Sequence, residues 1–316
     1  MKPFKKMIPH RNWQASLLQG SSLLYEAEPG EIITIVGPSR AGKSALIEAL
    51  QEQLYTEDGR PLFISTQVNN SSRDARFSYK DFLEKLLRLF NNPFQGKTSD
   101  LNTAVISNFR HRQVRYLFID EAQHFKYAGR DSLAATGLFD AIKVLADEAR
   151  IIVIFAGAYP MLSFMSASAH FENRTYTLEL PRYRTNNEDI AVFAKIIGTI
   201  AAEYDLDDDA KHLDKIAEIL HKGSLGCIGS LIHIFKQAKS LAAITDSQIS
   251  VSHIEKSTKS PRQLAAVTRE IVEGEQFLGS GADCLPDVPD EVWKRQSRTK
   301  PFQLKPKRRR KGHRSD

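Results

Sequence analysis

With 316 residues, 41% hydrophobic and 26% charged, the chain has room for one large α/β domain and a smaller one, in an ordinary soluble composition. Its two cysteines, Cys227 and Cys284, exclude a disulfide framework and lack metal-ligand spacing, which points to a reducing cytoplasm. From Lys294 to Asp316 eleven Lys or Arg face one acid, a net of +10 that leaves −4 for the rest of a chain totalling +6, so the pI of 9.1 describes a tail and not the folded body.

In chain order, Met1-Lys2-Pro3-Phe4-Lys5-Lys6 carries charge with no apolar run behind it, so no secretory signal is visible. A β-branched strand, Glu31 to Val36, leads into Gly37-Pro38-Ser39-Arg40-Ala41-Gly42-Lys43-Ser44, and Ala45 opens an amphipathic helix. This is the phosphate-binding P-loop (Walker A) pattern at every fixed position. Gly37 and Gly42 let the backbone wrap a polyphosphate, so that successive N–H groups and the positive end of the helix dipole point at it. Lys43 would reach the β- and γ-phosphates of ATP, and the Ser44 hydroxyl would coordinate Mg²⁺.

A second strand is expected at Pro61 to Gln67. Two helices follow, Tyr79 to Phe90 with Phe82, Leu83, Leu86, Leu87 and Phe90 on one face, and about Thr98 to Arg110. The buried-type strand Arg115 to Ile119 then ends in Asp120-Glu121, the place of a Walker B pair, expected beside the P-loop strand. Asp120 would hold Mg²⁺, directly or through water, and Glu121 would polarise the water that attacks the γ-phosphate.

Further strands are expected at Arg150 to Ala156 and near Arg174 to Leu180. The window Ile151 to Met165 is the most apolar of the chain, but it is too short and too interrupted to span a bilayer, so no membrane partner is expected. After Pro181 the pattern is helical only: Asn187 to Tyr204, Asp209 to Lys222, Gly226 to Ala243 and Val251 to Lys259. From Gly274 the sequence turns to Gly, Pro and acids, a linker into the tail Lys307-Arg308-Arg309-Arg310-Lys311. The repeated βα order implies an α/β fold, a parallel-sheet core with a C-terminal all-helical lid and a disordered basic tail. The expected divisions are 1–25 (N-terminal segment), 26–183 (core), 184–273 (lid) and 274–316 (linker and tail).

This layout resembles the AAA+ superfamily of P-loop ATPases, and more narrowly the transposition regulators of the TnsC, TniB and MuB type. The narrower resemblance rests on Pro9-His10-Arg11-Asn12-Trp13, on Asp120-Glu121-Ala122-Gln123-His124 and on Gly226-Cys227-Ile228-Gly229-Ser230-Leu231, and it covers roughly Met7 to Lys259. It implies an ATPase of slow intrinsic turnover that assembles as a ring or helical homo-oligomer on double-stranded DNA, recruits transposase and endonuclease subunits and a target-selection protein, and disassembles on hydrolysis. So compact a chain is similar to the short regulators of CRISPR-associated transposons.

The same resemblance assigns Arg174 as the arginine that completes a neighbour's site, with Arg182 and Arg184 as alternatives. It places DNA contacts at Lys80 and Thr98, with Arg76 and Lys97 beside them. Two departures stand out. The end of the fourth strand, Phe155-Ala156-Gly157-Ala158-Tyr159, lacks the polar side chain that orients water in many relatives, a task open to Gln123 or His124. The lid turn Gly226-Cys227-Ile228-Gly229 has glycine where many carry an arginine. The competing reading is a nucleotide-gated scaffold switch that forms no DNA filament. A helicase would need a second motor domain, of which the sequence gives no sign.

Overall fold

The computed structural model describes residues 8–68, 78–127, 132–165 and 175–280; Arg76, Arg174 and the basic tail lie outside them. Helix α1 (Arg11–Glu26) leads to β1 (Ile32–Val36) and α2 (Lys43–Gln51), then to β2 (Phe63–Gln67). Helices α3 (Tyr79–Leu89) and α4 (Thr98–His111) precede β3 (Tyr116–Asp120); α5 (Ser132–Ala149), β4 (Ile152–Gly157), the short α6 (Leu162–Met165) and β5 (Thr175–Glu179) complete the α/β part. The five strands run parallel in the order β2-β3-β4-β1-β5.

Alternation along each strand divides the core in two. Ile32 and Val36 of β1, Leu117 and Ile119 of β3, and Val153 and Phe155 of β4 join the helices α3, α4 and α5 on one face. Ile33, Ile35, Phe118, Ile152, Ile154 and Leu178 meet α1 and α2 on the other. Both faces of the inner strands β1, β3 and β4 are covered, so these read as near-continuous hydrophobic runs, whereas the edge strands β2 and β5 are partly exposed. Helix α3 shows how local chemistry sets an element. Ser78 and Asp81 form a reciprocal capping box, and Phe82, Leu83, Leu86 and Leu87 are fully buried, each contributing about 1.5–3 kcal/mol.

The sheet order corrects one expectation. The strand ending in Asp120 does not lie beside the P-loop strand, because β4 is inserted between β3 and β1. A short apolar strand records that both of its faces are buried, and nothing in that pattern names its neighbour.

Beyond β5 the chain is helical: α7 (Asn187–Ala201), α8 (Asp208–Lys211), α9 (Leu213–Ser224), α10 (Ile228–Ile244), α11 (Val251–Lys256) and α12 (Pro261–Phe277). Tyr183, Phe193, Ile197, Leu220, Leu231, Phe235 and Ile254 form a third core. The segment expected as one helix from Asp209 breaks at His212, whose ψ of 88° cannot continue a helical turn. Helix α12 lies mostly within the expected lid bounds of 184–273 but was not named as a helix, and it runs past Gly274, expected to open the linker; it returns to the α/β part, where Ile271 joins the core of β3, β4 and α5. No helix among the described residues is long and apolar enough to cross a membrane.

Candidate functional site

The site forms at the carboxyl ends of β1, β3 and β4. After Val36 the chain turns through Gly37, where a Cβ would stand 2.5 Å from the carbonyl oxygen of Leu180, so only glycine fits between the loop and the exit of β5. Pro38 and Ala41 are buried, while Ser39 and Arg40 form the exposed tip. Gly42, at φ 111°, caps α2 without a side-chain bond, which leaves the first N–H groups of that helix open to an anion; Ala45 lies in this first turn.

Lys43 folds back over the loop, its Nζ donating to Gly37 O at 3.0 Å and to Pro38 O at 2.8 Å. Burial pushes its pKa down, opposed by Cys227, Glu121, Glu270 and Asp120. A half-buried ammonium with only carbonyl partners is a site that gains from an anion. Next to it Ser44 Oγ donates to Asp120 Oδ2 at 3.0 Å. Asp120 is 6% exposed, and burial raises its pKa while the Glu121 N–H and the Ser44 hydroxyl hold it down. Paired hard oxygens are the donor set that suits Mg²⁺, which keeps waters and phosphate oxygens as its remaining ligands.

Glu121 sits in the left-handed region at φ 58°, a conformation that costs a non-glycine residue energy and is concentrated at functional sites. Its carboxylate accepts from Gln123 Nε2, and His124 Nε2 lies 3.5 Å from the same oxygen. Gln123 faces two ways, because its Oε1 also accepts the backbone N–H of Ala158 at 3.0 Å, just past β4. At Gly157 a Cβ would come within 2.5 Å of that Oε1. The missing polar side chain at the end of β4 therefore has a counterpart: the strand ends in glycine, and Gln123 occupies the space.

The helical part closes on the same region. Gly229 donates its N–H to Arg40 O at 2.9 Å, and a Cβ there would stand 2.6 Å from that oxygen, so the lid turn has glycine because it rests on the P-loop tip. On the other flank Asn12 Nδ2 donates to Pro181 O and Arg182 O, both at 3.3 Å, which ties the N-terminal motif to the exit of β5. Helix α12 completes the surround. Gly274 lies flat on Tyr159, where any Cβ would overlap the ring, and Tyr159 OH donates to Glu179 Oε1 at 2.6 Å.

Arg182, an alternative for the arginine offered to a neighbour, is instead committed within its own chain. Its Nε and a terminal nitrogen donate to the two oxygens of Glu275 at 2.9 and 3.1 Å, and both residues are buried. Arg184 lies 3.8 Å from the same carboxylate. Arg174 falls outside the described residues. Glu275, Gly274 and Tyr159 are the residues that sequence reading missed. The signal was there: Ser260-Pro261-Arg262-Gln263 is a capping box with proline at the first helical position, and Leu264, Val267 and Ile271 follow at helical spacing.

Lys80 and Thr98, at the starts of α3 and α4, are both exposed, as is Lys97, the residue preceding α4. The two helix starts are held together by Tyr79 OH donating to Asn102 Oδ1 at 2.7 Å. Lys80 stands 4.0 Å from Glu84, a surface pair of small energetic weight. Arg76 lies outside the described residues.

Residues 27–165 match the family model of an AAA domain. No curated protein matches the chain. Among solved structures it is similar to the Walker-type ATPase PABY2304 of Pyrococcus abyssi, with 12% identity and a TM-score of 0.54 over 90% of this chain and 76% of that one. It is also similar to the ORC1 protein of Aeropyrum pernix solved in complex with DNA, with 15% identity and a TM-score of 0.56 over 91% of this chain and 82% of that one. The fold is thus that of the AAA+ P-loop ATPases, with a five-stranded parallel sheet followed by a helical region.

Proposed function

We propose that this protein is an ATP-dependent DNA-binding regulator of transposition that oligomerises on double-stranded target DNA, recruits or activates a transposase, and disassembles when ATP is hydrolysed. The observation that carries the nucleotide part is the convergence of Lys43, Ser44, Asp120 and Glu121 at one end of the sheet, within the stretch that matches an AAA domain. Lys43 and the open N–H groups of α2 would bind the β- and γ-phosphates. Ser44 and Asp120 would hold Mg²⁺, which when bound neutralises charge on the phosphate oxygens. Glu121 would act as general base toward water, and Gln123, anchored on Ala158, fixes its direction.

The DNA part is supported by the exposed starts of α3 and α4, by the resemblance of the sequence motifs to those of TnsC-type regulators, and by the likeness to a protein solved in complex with DNA. Donors at Lys80, Lys97 and Thr98 suit phosphate oxygens and would fix register without reading bases. Lys80→Ala is expected to lower the slope of log K against log salt by about 1 and to weaken binding alike on all sequences. An unchanged slope in a salt titration removes Lys80 from the DNA surface.

Electron microscopy of the protein with duplex DNA tests the whole reading. Regular rings or filaments are expected with a non-hydrolysable ATP analogue and dispersed subunits with ADP. A monomer in every condition overturns the oligomer, and with it the role of Arg174. Analogue-dependent partner binding without filaments would leave a scaffold switch in its place.

A further inference from the structure

Four basic residues, Arg110, His111, Arg112 and Arg115, fall within six positions where α4 ends, and neither the nucleotide site nor the proposed DNA surface uses them. They lie at the far end of the sheet from the P-loop. Arg115 leads into β3, and Asp120 closes that strand about 17 Å further on. Thr98 opens α4, a 14-residue helix about 21 Å long, so the starts of α3 and α4 are remote as well.

Two cavities meet at this end and share Arg110. The smaller, of about 420 Å³, has exposed Arg115, Arg150 and Gln113 at its rim and Leu62, Phe109 and Val114 beneath them. The larger, of about 670 Å³, adds Ile106 and Glu148. The helices framing the smaller cavity end alike: Gln113 at φ 55° and Arg150 at φ 57° take the left-handed position past α4 and α5 where glycine is usual. Both turns are closed by the backbone, Val114 N to Phe109 O and Ile151 N to Ala146 O, each at 3.0 Å. Long polar side chains stand at both positions despite the conformational cost.

These self-closed turns leave the rim without a task inside the fold. Among the described residues the side chains of Arg115, Arg150 and Gln113 make no hydrogen bond, and neither arginine has an ion-pair partner. No acid among the described residues lines the smaller cavity. Glu148, in the larger one, accepts from Asn102 Nδ2 at 3.1 Å, while its backbone oxygen accepts from Arg110 at 2.6 Å and so fixes where that guanidinium stands. Guanidinium forks suit carboxylates and phosphates. A nucleic-acid backbone would leave the apolar floor unused, and bases need an open aromatic face to stack on, whereas Phe109 is 1% exposed. A peptide brings both chemistries together, acids for the rim and an apolar side chain for the floor.

We propose that this groove docks an acidic segment of a partner protein, with Asp or Glu side chains on Arg110, Arg115 and Arg150 and an apolar side chain over Leu62 and Val114. The proposal is independent of the nucleotide and DNA readings above. It gives the molecule a partner surface at the opposite end of the sheet from its P-loop.

Labelling of the arginines of the full chain with phenylglyoxal, read residue by residue by mass spectrometry, tests this. The probe is a random glutamate–tyrosine copolymer, set against poly-glutamate and duplex DNA, and residue-level reading separates the groove from tail arginines such as Arg308, Arg309 and Arg310, which attract any polyanion. The copolymer is expected to protect Arg110, Arg115 and Arg150 at concentrations about 10-fold below those of poly-glutamate, the gain from covering one apolar side chain. Arg115→Ala with Arg150→Ala is expected to raise the concentration that half-protects Arg110 by about 10–100-fold. Lys195→Ala with Lys236→Ala removes the same charge from exposed positions of α7 and α10 and leaves that concentration unchanged. Equal melting temperatures show that both double variants are folded. Protection confined to the tail, or given by DNA and not by the copolymer, overturns the proposal. Equal protection by poly-glutamate means that the floor takes no part, and a control pair as weak as the groove pair means diffuse charge; either result also overturns it.

Discussion

Glu121→Gln is expected to slow ATP hydrolysis by about 10²–10⁴-fold while leaving ATP affinity within a few-fold of the parent. The substitution is nearly isosteric. Its oxygen can still accept from Gln123, so the left-handed turn at φ 58° and the anchor on Ala158 are kept and only the basicity is removed. The phosphate contacts proposed for Lys43 and the start of α2 are not touched by the change. The proposed function, in which nucleotide binding drives assembly on DNA and hydrolysis drives release, then predicts that assemblies of this variant outlast those of the parent. Single-turnover hydrolysis read beside nucleotide affinity separates the two steps, and an unaltered rate would remove Glu121 as the base.

Glu275→Ala is expected to destabilise the fold by about 3–5 kcal/mol, because it leaves the Arg182 guanidinium buried without its partner. Replacing both residues, Arg182→Met with Glu275→Leu, is expected to recover most or all of that loss, since the pair also carries the cost of taking two charges out of water. Denaturant unfolding of the parent, the single and the double variant checks this. A single variant within about 1 kcal/mol of the parent would mean that water reaches Arg182 and that the pair is not sealed.

The parts of the site legible in sequence are those whose chemistry is local. Gly37, Gly42, Lys43 and Ser44 sit at a fixed spacing between a strand and a helix, and Asp120-Glu121 follows a strand at once. Each is written within about ten residues, and the five strands were legible for the same reason. What escaped was written across the fold. That Gln123 fills the space at Gly157 depends on two segments 34 residues apart, and that β4 separates β3 from β1 depends on pairing, which no apolar run encodes. Helix α12 was hidden because its inner face includes Thr268, Gly274 and Glu275, residues that break the apolar stripe by which a helix is recognised. Gly274 looked like the first residue of a linker, and it is the point of closest contact with Tyr159.

The bond from Glu275 back to Arg182 decides where this polypeptide can be cut. A truncation placed by composition, just before Gly274, would discard the acid and keep the buried base. The shortened protein would then fail to fold for a reason unrelated to the tail, and its inactivity would be misread as proof that the tail is needed. A stop codon after Ser280, beyond the last turn of α12 and its bond from Ser280 N to Glu275 O, removes the basic segment while sparing that pair. Only such a deletion can report what the tail itself does.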